Sequence, residues 1–114
     1  MEPTNIPMSM VRGDTLGFDL TLSSLGSATV TSLAFSAKPN PKASEYAFHK
    51  TIGDGIEHLE GNQYHVRVAP NDTADLTPGK YAYDIQVGLD SDIYTPVMGT
   101  LTIRQDVTEG GNNG

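Results

Sequence analysis

Three groups of side chains in this sequence are of types that carry chemistry elsewhere. They are the tripeptide Arg12-Gly13-Asp14, the histidines His49, His58 and His65, and the acidic pairs Asp90 with Asp92 and Asp72 with Asp75. Arg-Gly-Asp is the tripeptide of integrin ligands, and it works at an exposed loop tip with guanidinium and carboxylate splayed apart. Here it stands between two expected strands, directly before an alternation that starts at Leu16. The expectation is a turn, with Gly13 at positive φ and the Asp14 carboxylate on a nearby backbone N–H. A zinc site needs three or four ligands converging at about 2 Å. The three histidines fall on or near different strands without an i, i+2 pair, so they are expected to face solvent, His65 beside an inward Val66. Calcium takes roughly six to eight oxygens, and the EF-hand spacing is missing. Asp72-Thr73 after Pro70 reads instead as a capping or Asx turn opening one helical turn before Leu76. The sequence has no G-x-S-x-G elbow, Walker loop or H-E-x-x-H, and nothing in it places serine, histidine and aspartate within reach of one another. No catalytic, cofactor-binding or metal-binding residue is expected, and the chain is read as not an enzyme.

Composition narrows the elements that must position these residues. Fourteen acidic side chains against seven basic ones give a net charge of −7 over 114 residues. Such a surface gains nothing from counterion release, which argues against nucleic acid as a partner. The absence of cysteine removes disulfides, thiolate metal sites and cysteine nucleophiles, so apolar burial and backbone pairing must hold the fold. The length suits one domain. The first residues lack the basic and apolar regions of a signal peptide, and no apolar run reaches the roughly 18–20 residues of a membrane helix. A soluble chain with no membrane partner is expected.

Period-2 alternation recurs along the chain. Leu16, Phe18, Leu20 and Leu22 share a face, as do Leu33, Phe35 and Ala37, then Tyr64, Val66 and Val68. Tyr81, Tyr83, Ile85 and Val87 follow, then Gly99, Leu101 and Ile103. Shorter strands are expected over Tyr46 to Lys50, with Tyr46 and Phe48 on one face, and over Met8 to Val11. Gly13, Gly26, Pro39 with Pro41, Gly53 with Gly55, Gly61, Pro78-Gly79 and Gly88 punctuate these runs as turns. About seven antiparallel strands, each half-buried, make an all-β fold of the β-sandwich type.

The stretch from Pro70 to Tyr83 sharpens that class to an immunoglobulin-like β-sandwich. A polar turn passes through Leu76 and Pro78-Gly79 into a tyrosine-led strand. Immunoglobulin-like domains place a tyrosine there whose hydroxyl bonds back to the upstream backbone, and Tyr81 suits that corner. Tyr83 then stands where antibody domains carry a cysteine, with Phe18 or Leu20 as its counterpart, so apolar packing replaces the disulfide. Tyr81→Ala or Phe18→Ala is expected to cost about 3–5 kcal/mol. The domain is read as residues 8–108. Residues 1–7 form an arm that orders only against something else, and residues 109–114 form a flexible Gly/Asn tail.

Several segments together resemble a known family. These are Met10 to Thr15, Leu33 to Lys38, Tyr81 to Val87, Tyr94-Thr95-Pro96, Gly99 to Ile103 and Asp106-Val107-Thr108. In order and spacing they are similar to small immunoglobulin-like proteins of tailed bacteriophages, including the front domain of baseplate upper proteins. The resemblance spans about residues 8–108. It implies a structural subunit of tail, neck, baseplate or capsid, multi-copy in the virion and made in the host bacterial cytoplasm. Other virion structural proteins would be its partners, and no catalytic residue carries over. The 114 residues hold no counterpart of the C-terminal receptor-binding region of the longer baseplate proteins, so a small accessory subunit is expected. Exposed edge strands would pair with neighbours by β-augmentation, and the −7 charge would steer docking onto a basic patch. The alternative is an adhesion or glycan-binding module displayed on a virion or bacterium, using Tyr46, Tyr64 or Tyr94 as its aromatic platform. A third is an accessory domain once linked to an enzyme.

Overall fold

The computed structural model describes residues 3–22, 29–90 and 92–107. The expected turn at Gly26 and the tail at 109–114 lie outside them. The fold is all-β. The strands are β1 (Thr4–Asn5), β2 (Met8–Val11), β3 (Leu16–Thr21), β4 (Val30–Lys38), β5 (Phe48–Ile52), β6 (Gly55–His58), β7 (Gln63–Val68), β8 (Gly79–Leu89) and β9 (Asp92–Arg104), with one helical turn, α1 (Pro70–Thr73), between β7 and β8. Hydrogen bonding joins them in the order β1-β9-β8-β4-β5-β6-β7-β3, and β2 also lies on β9.

The alternation decides which side of each strand is buried. Leu33, Phe35 and Ala37 point inward from β4, Tyr64, Val66 and Val68 from β7, Tyr81, Tyr83, Ile85 and Val87 from β8, and Leu101 and Ile103 from β9. The sheet curls until Phe18 of β3 meets Phe35 of β4, although three strands separate them in the ladder. Phe35 is the hub of the core. Its ring makes edge-on contacts with Phe18 at 5.5 Å, Phe48 at 5.3 Å and Tyr83 at 5.6 Å, an arrangement that suits aromatic quadrupoles. The expected Phe18–Tyr83 core is therefore bridged by Phe35, and Phe18 stays half-buried.

Several expectations are corrected. The described strands number nine rather than about seven, and three of the pairings are parallel: β1 and β2 on β9, and β5 with β6. The arm expected at 1–7 pairs within the chain at Thr4–Asn5. The Ile6 N–H extends that pairing by donating to the Met98 carbonyl at 3.1 Å. Gly99 makes room for it, since a Cβ there would stand 2.7 Å from the Ile6 carbonyl oxygen. Gly88 is no turn residue but a buried position within β8, packed against the Ser32 side chain. Tyr46 precedes β5 and is 53% exposed, while Phe48 is buried. β9 begins at Asp92, well before Gly99, and the register shift between Ile85 and Val87 places a bulge at Thr95-Pro96, two residues of β9 opposite Gln86 of β8. A bulge is where a sheet tolerates proline, because its missing N–H breaks no ladder bond.

Candidate functional site

The turn that carries Arg12-Gly13-Asp14 is built into the body of the fold. Gly13 has φ +82°, and its N–H donates to Thr73 Oγ1 at 2.8 Å. Thr73 belongs to α1 and is fully buried, so this bond ties the β2–β3 turn to the helical turn. The Arg12 guanidinium is held by Asp106, with Nε and Nη2 each 2.9 Å from Oδ1, and Nη1 reaches the Leu76 carbonyl at 3.4 Å. An arginine bound in this way is not splayed out as an integrin ligand requires. Local order also comes from the Asp14 backbone N–H, which donates to the Val11 carbonyl at 3.0 Å.

Asp72 is the capping residue expected from its position. Its carboxylate accepts the Ala69 N–H at 2.7 Å and pairs with Lys50 Nζ at 2.8 Å. These bonds satisfy a donor at the start of α1 and tie the helical turn to β5. Asp90 takes φ 48° at the β8–β9 turn, a conformation that aspartate tolerates better than most residues. Each histidine has a local partner. His65 Nδ1 lies 2.8 Å from Asp19 Oδ1, the His58 Nε2 N–H donates to the Gly61 carbonyl at 2.7 Å, and His49 Nδ1 lies 2.7 Å from Ser36 Oγ. Among the described residues, no three metal-ligating side chains come together.

Sequence reasoning missed one constellation. Register places His49, Ser36, Asp84, Met98 and Asn5 in a single row across β5, β4, β8, β9 and β1. The row crosses the outward face of the sheet, where a groove of about 760 Å³ is floored by Ala34, Ser36 and Ala82. Tyr46 and the Pro39–Pro41 segment line one part of it, and Pro3, Asn5 and Met98 another. Burial raises the Asp84 pKa, and the charges of Lys38 and His49 partly offset the rise. The row brings serine, histidine and aspartate together on neighbouring strands, contrary to expectation, but the hydroxyl stands between imidazole and carboxylate. A charge-relay triad needs the imidazole in the middle. The strand partners are what brought these residues together, and single-strand alternation carries no signal for that.

The aromatic platform expected of a glycan binder is also redistributed. Tyr64 is buried and Tyr94 half-buried, leaving Tyr46 exposed at the groove. Its ring stacks on His49 at 4.5 Å, and Lys38 Nζ sits 5.1 Å from the ring centroid.

No family model matches the chain, and no curated protein matches it in sequence. Among solved structures, an endo-β-1,4-mannanase from Thermotoga petrophila aligns with a TM-score of 0.55 at 9% identity, covering 86% of this chain. The chain spans 18% of that enzyme's length, and the likeness is one of fold. A swine CD8αα homodimer structure aligns at TM-score 0.49 and 11% identity over 91% of this chain and 96% of the other. The extracellular domain of the voltage-gated sodium channel beta4 subunit aligns at 0.45 and 16% identity, over 94% and 99%.

Proposed function

We propose that this chain is a non-enzymatic immunoglobulin-like β-sandwich that acts through protein–protein contacts as a structural subunit of a tailed-phage virion, in tail, baseplate, neck or capsid. The observation that carries the fold part of this reading is the corner at the foot of β8. The Tyr81 hydroxyl donates to the Thr77 carbonyl at 2.6 Å, four residues upstream, as the immunoglobulin-like corner requires. Support for the virion part comes from the resemblance over residues 8–108, whose quoted segments supply β2, β4, β8 and β9. Contacts would be made by exposed strand edges and by the outward face around Ser36, Asp84 and Gln86, with the −7 charge steering the chain to a basic surface. Mass spectrometry and cryo-electron microscopy of purified particles test the reading. The chain should be found at a fixed copy number, and its absence from intact virions would refute a structural role. Docking onto the partner should also weaken as salt rises.

The groove beside Tyr46 favours a second reading, a glycan-binding module, because Asn5, Asp84, Gln86 and Thr100 line it with hydrogen-bonding groups. A glycan array comparing wild type with Tyr46→Ala decides it. Signal lost in the variant supports sugar binding, and equal background in both removes it.

A further inference from the structure

The sheet ends at β3. This strand pairs with β7 from Leu16↔Val68 to Thr21↔Gln63 and, among the described residues, with no strand on its other side. The parity of the ladder shows which groups are left over. Just past the strand, the Leu22 N–H donates to the Asn62 carbonyl at 2.9 Å, which continues the same register. In an antiparallel pair, bonded and non-bonded residue pairs alternate. Leu20, Phe18 and Leu16 therefore bond to β7, while Gly17, Asp19 and Thr21 direct their N–H and C=O groups outward.

Two further features mark this edge. Leu16, Phe18 and Leu20 pack on the core yet remain half-buried, so an added strand would complete their burial. Gly17 is the second feature, a residue that weakens a strand interior and often marks a close backbone approach. Nothing among the described residues requires glycine there. A Cβ would meet the His65 ring at 3.5 Å and the Val66 carbonyl oxygen at 3.8 Å, both ordinary contacts. Gly99, by contrast, is explained by Ile6 of the same chain.

We infer that β3 pairs antiparallel with β3 of a second copy, about a two-fold axis through Phe18. In that register Phe18 faces Phe18 and Leu16 faces Leu20, so the inward side chains match. Gly17 faces Asp19, and these are residues whose backbone groups are free to exchange hydrogen bonds. The alternative axis through Asp19 sets Asp19 against Asp19, and like charges directly opposite destabilise a ladder. The strand's one charged residue thus selects the register. This inference deepens the protein-contact reading and rests on it, but not on the virion: particle mass spectrometry decides the latter whatever the oligomeric state.

The test is sedimentation equilibrium on the full chain at high protein concentration, with circular dichroism to verify folding. Wild type should form a dimer that tightens as salt rises, because each copy carries a charge of −7. Gly17→Glu sets two like-charge pairs across the axis and should weaken the dimer, and Gly17→Lys sets two opposite pairs and should tighten it. Each change is expected to be about 2- to 30-fold. Asp19→Lys added to Gly17→Glu should restore the dimer. A monomer at every salt concentration overturns the proposal and leaves the edge to a different protein. A dimer that Gly17→Glu and Gly17→Lys shift in the same direction also overturns it.

Discussion

The two ends of the sheet are finished differently. At one end, β9 is covered by β1 and β2, strands of two and four residues separated by Ile6-Pro7. The stretch is anchored by the Tyr83 hydroxyl on the Ile6 carbonyl and by buried Met10. At the other end, β3 runs six residues without proline, lysine or bulge, and its outer backbone groups have no strand partner among the described residues. Short strands and proline are the usual means by which an edge avoids pairing with other chains. The β1/β2 end has both. The β3 end has a single aspartate. The contrast separates an edge closed by the chain itself from one open to association.

Removing what the two ends share should have the largest effect. Phe35→Ala empties the hub between Phe18 on the β3 side and Tyr83 on the β8 side, and should cost about 3–5 kcal/mol in denaturant unfolding. Amide exchange should then accelerate at both ends together. Gly99→Ala comes next. It drives a Cβ into the Ile6 carbonyl, so about 1–3 kcal/mol should be lost. Exchange of the Ile6 amide should rise while the β3–β7 ladder keeps its protection.

Tyr83→Phe removes only the anchor and should cost about 1 kcal/mol, again confined to the β1 side. The same residue gives that end a pH dependence. Burial raises the Tyr83 pKa above its ordinary value of 10.0. Folding therefore holds a proton that the unfolded chain releases earlier. The contribution is complete below the unfolded value and is lost as pH rises through the folded one. Alkaline unfolding curves should show this loss in wild type, with a smaller one in Tyr83→Phe. The smallest effect belongs to Asp19→Asn, which alters an exposed contact with His65, the Asp19 side chain being 73% accessible. Its unfolding midpoint should stay within about 0.5 kcal/mol of wild type.

What could be read from the sequence divides along the same line. Strands that bury one face announce themselves by period 2, and β3, β4, β7 and β8 are legible because Phe18, Phe35, Val66 and Ile85 each alternate with small or polar residues. The corner at Tyr81 was legible too, since its turn chemistry is local. β1 was not, because Thr4 and Asn5 are exposed and carry no apolar signal; Gly99 and Tyr83, far along the chain, position them. β6 was missed because four residues, Gly55–His58, bury only Ile56. The early part of β9 was hidden by Pro96, which the bulge accommodates. The row from His49 to Asn5 spans five strands, and no local pattern encodes a neighbour across a ladder.

The parallel pairing of β2 with β9 has a consequence for how the protein is made. Met8 is bonded in register with Leu101, and Val11 with Arg104, so strands from the beginning and end of the fold meet. A ribosome delivers β9 last. Until Arg104 has left the exit tunnel, β2 has no partner and β8 lacks one side of its ladder. Co-translational folding can therefore assemble β3 to β8 but not close the sheet. Ribosome-stalled chains in which β8 has emerged while Gly99 and the residues after it are still inside the tunnel should show the Phe35 core partly protected while β2 still lacks its partner.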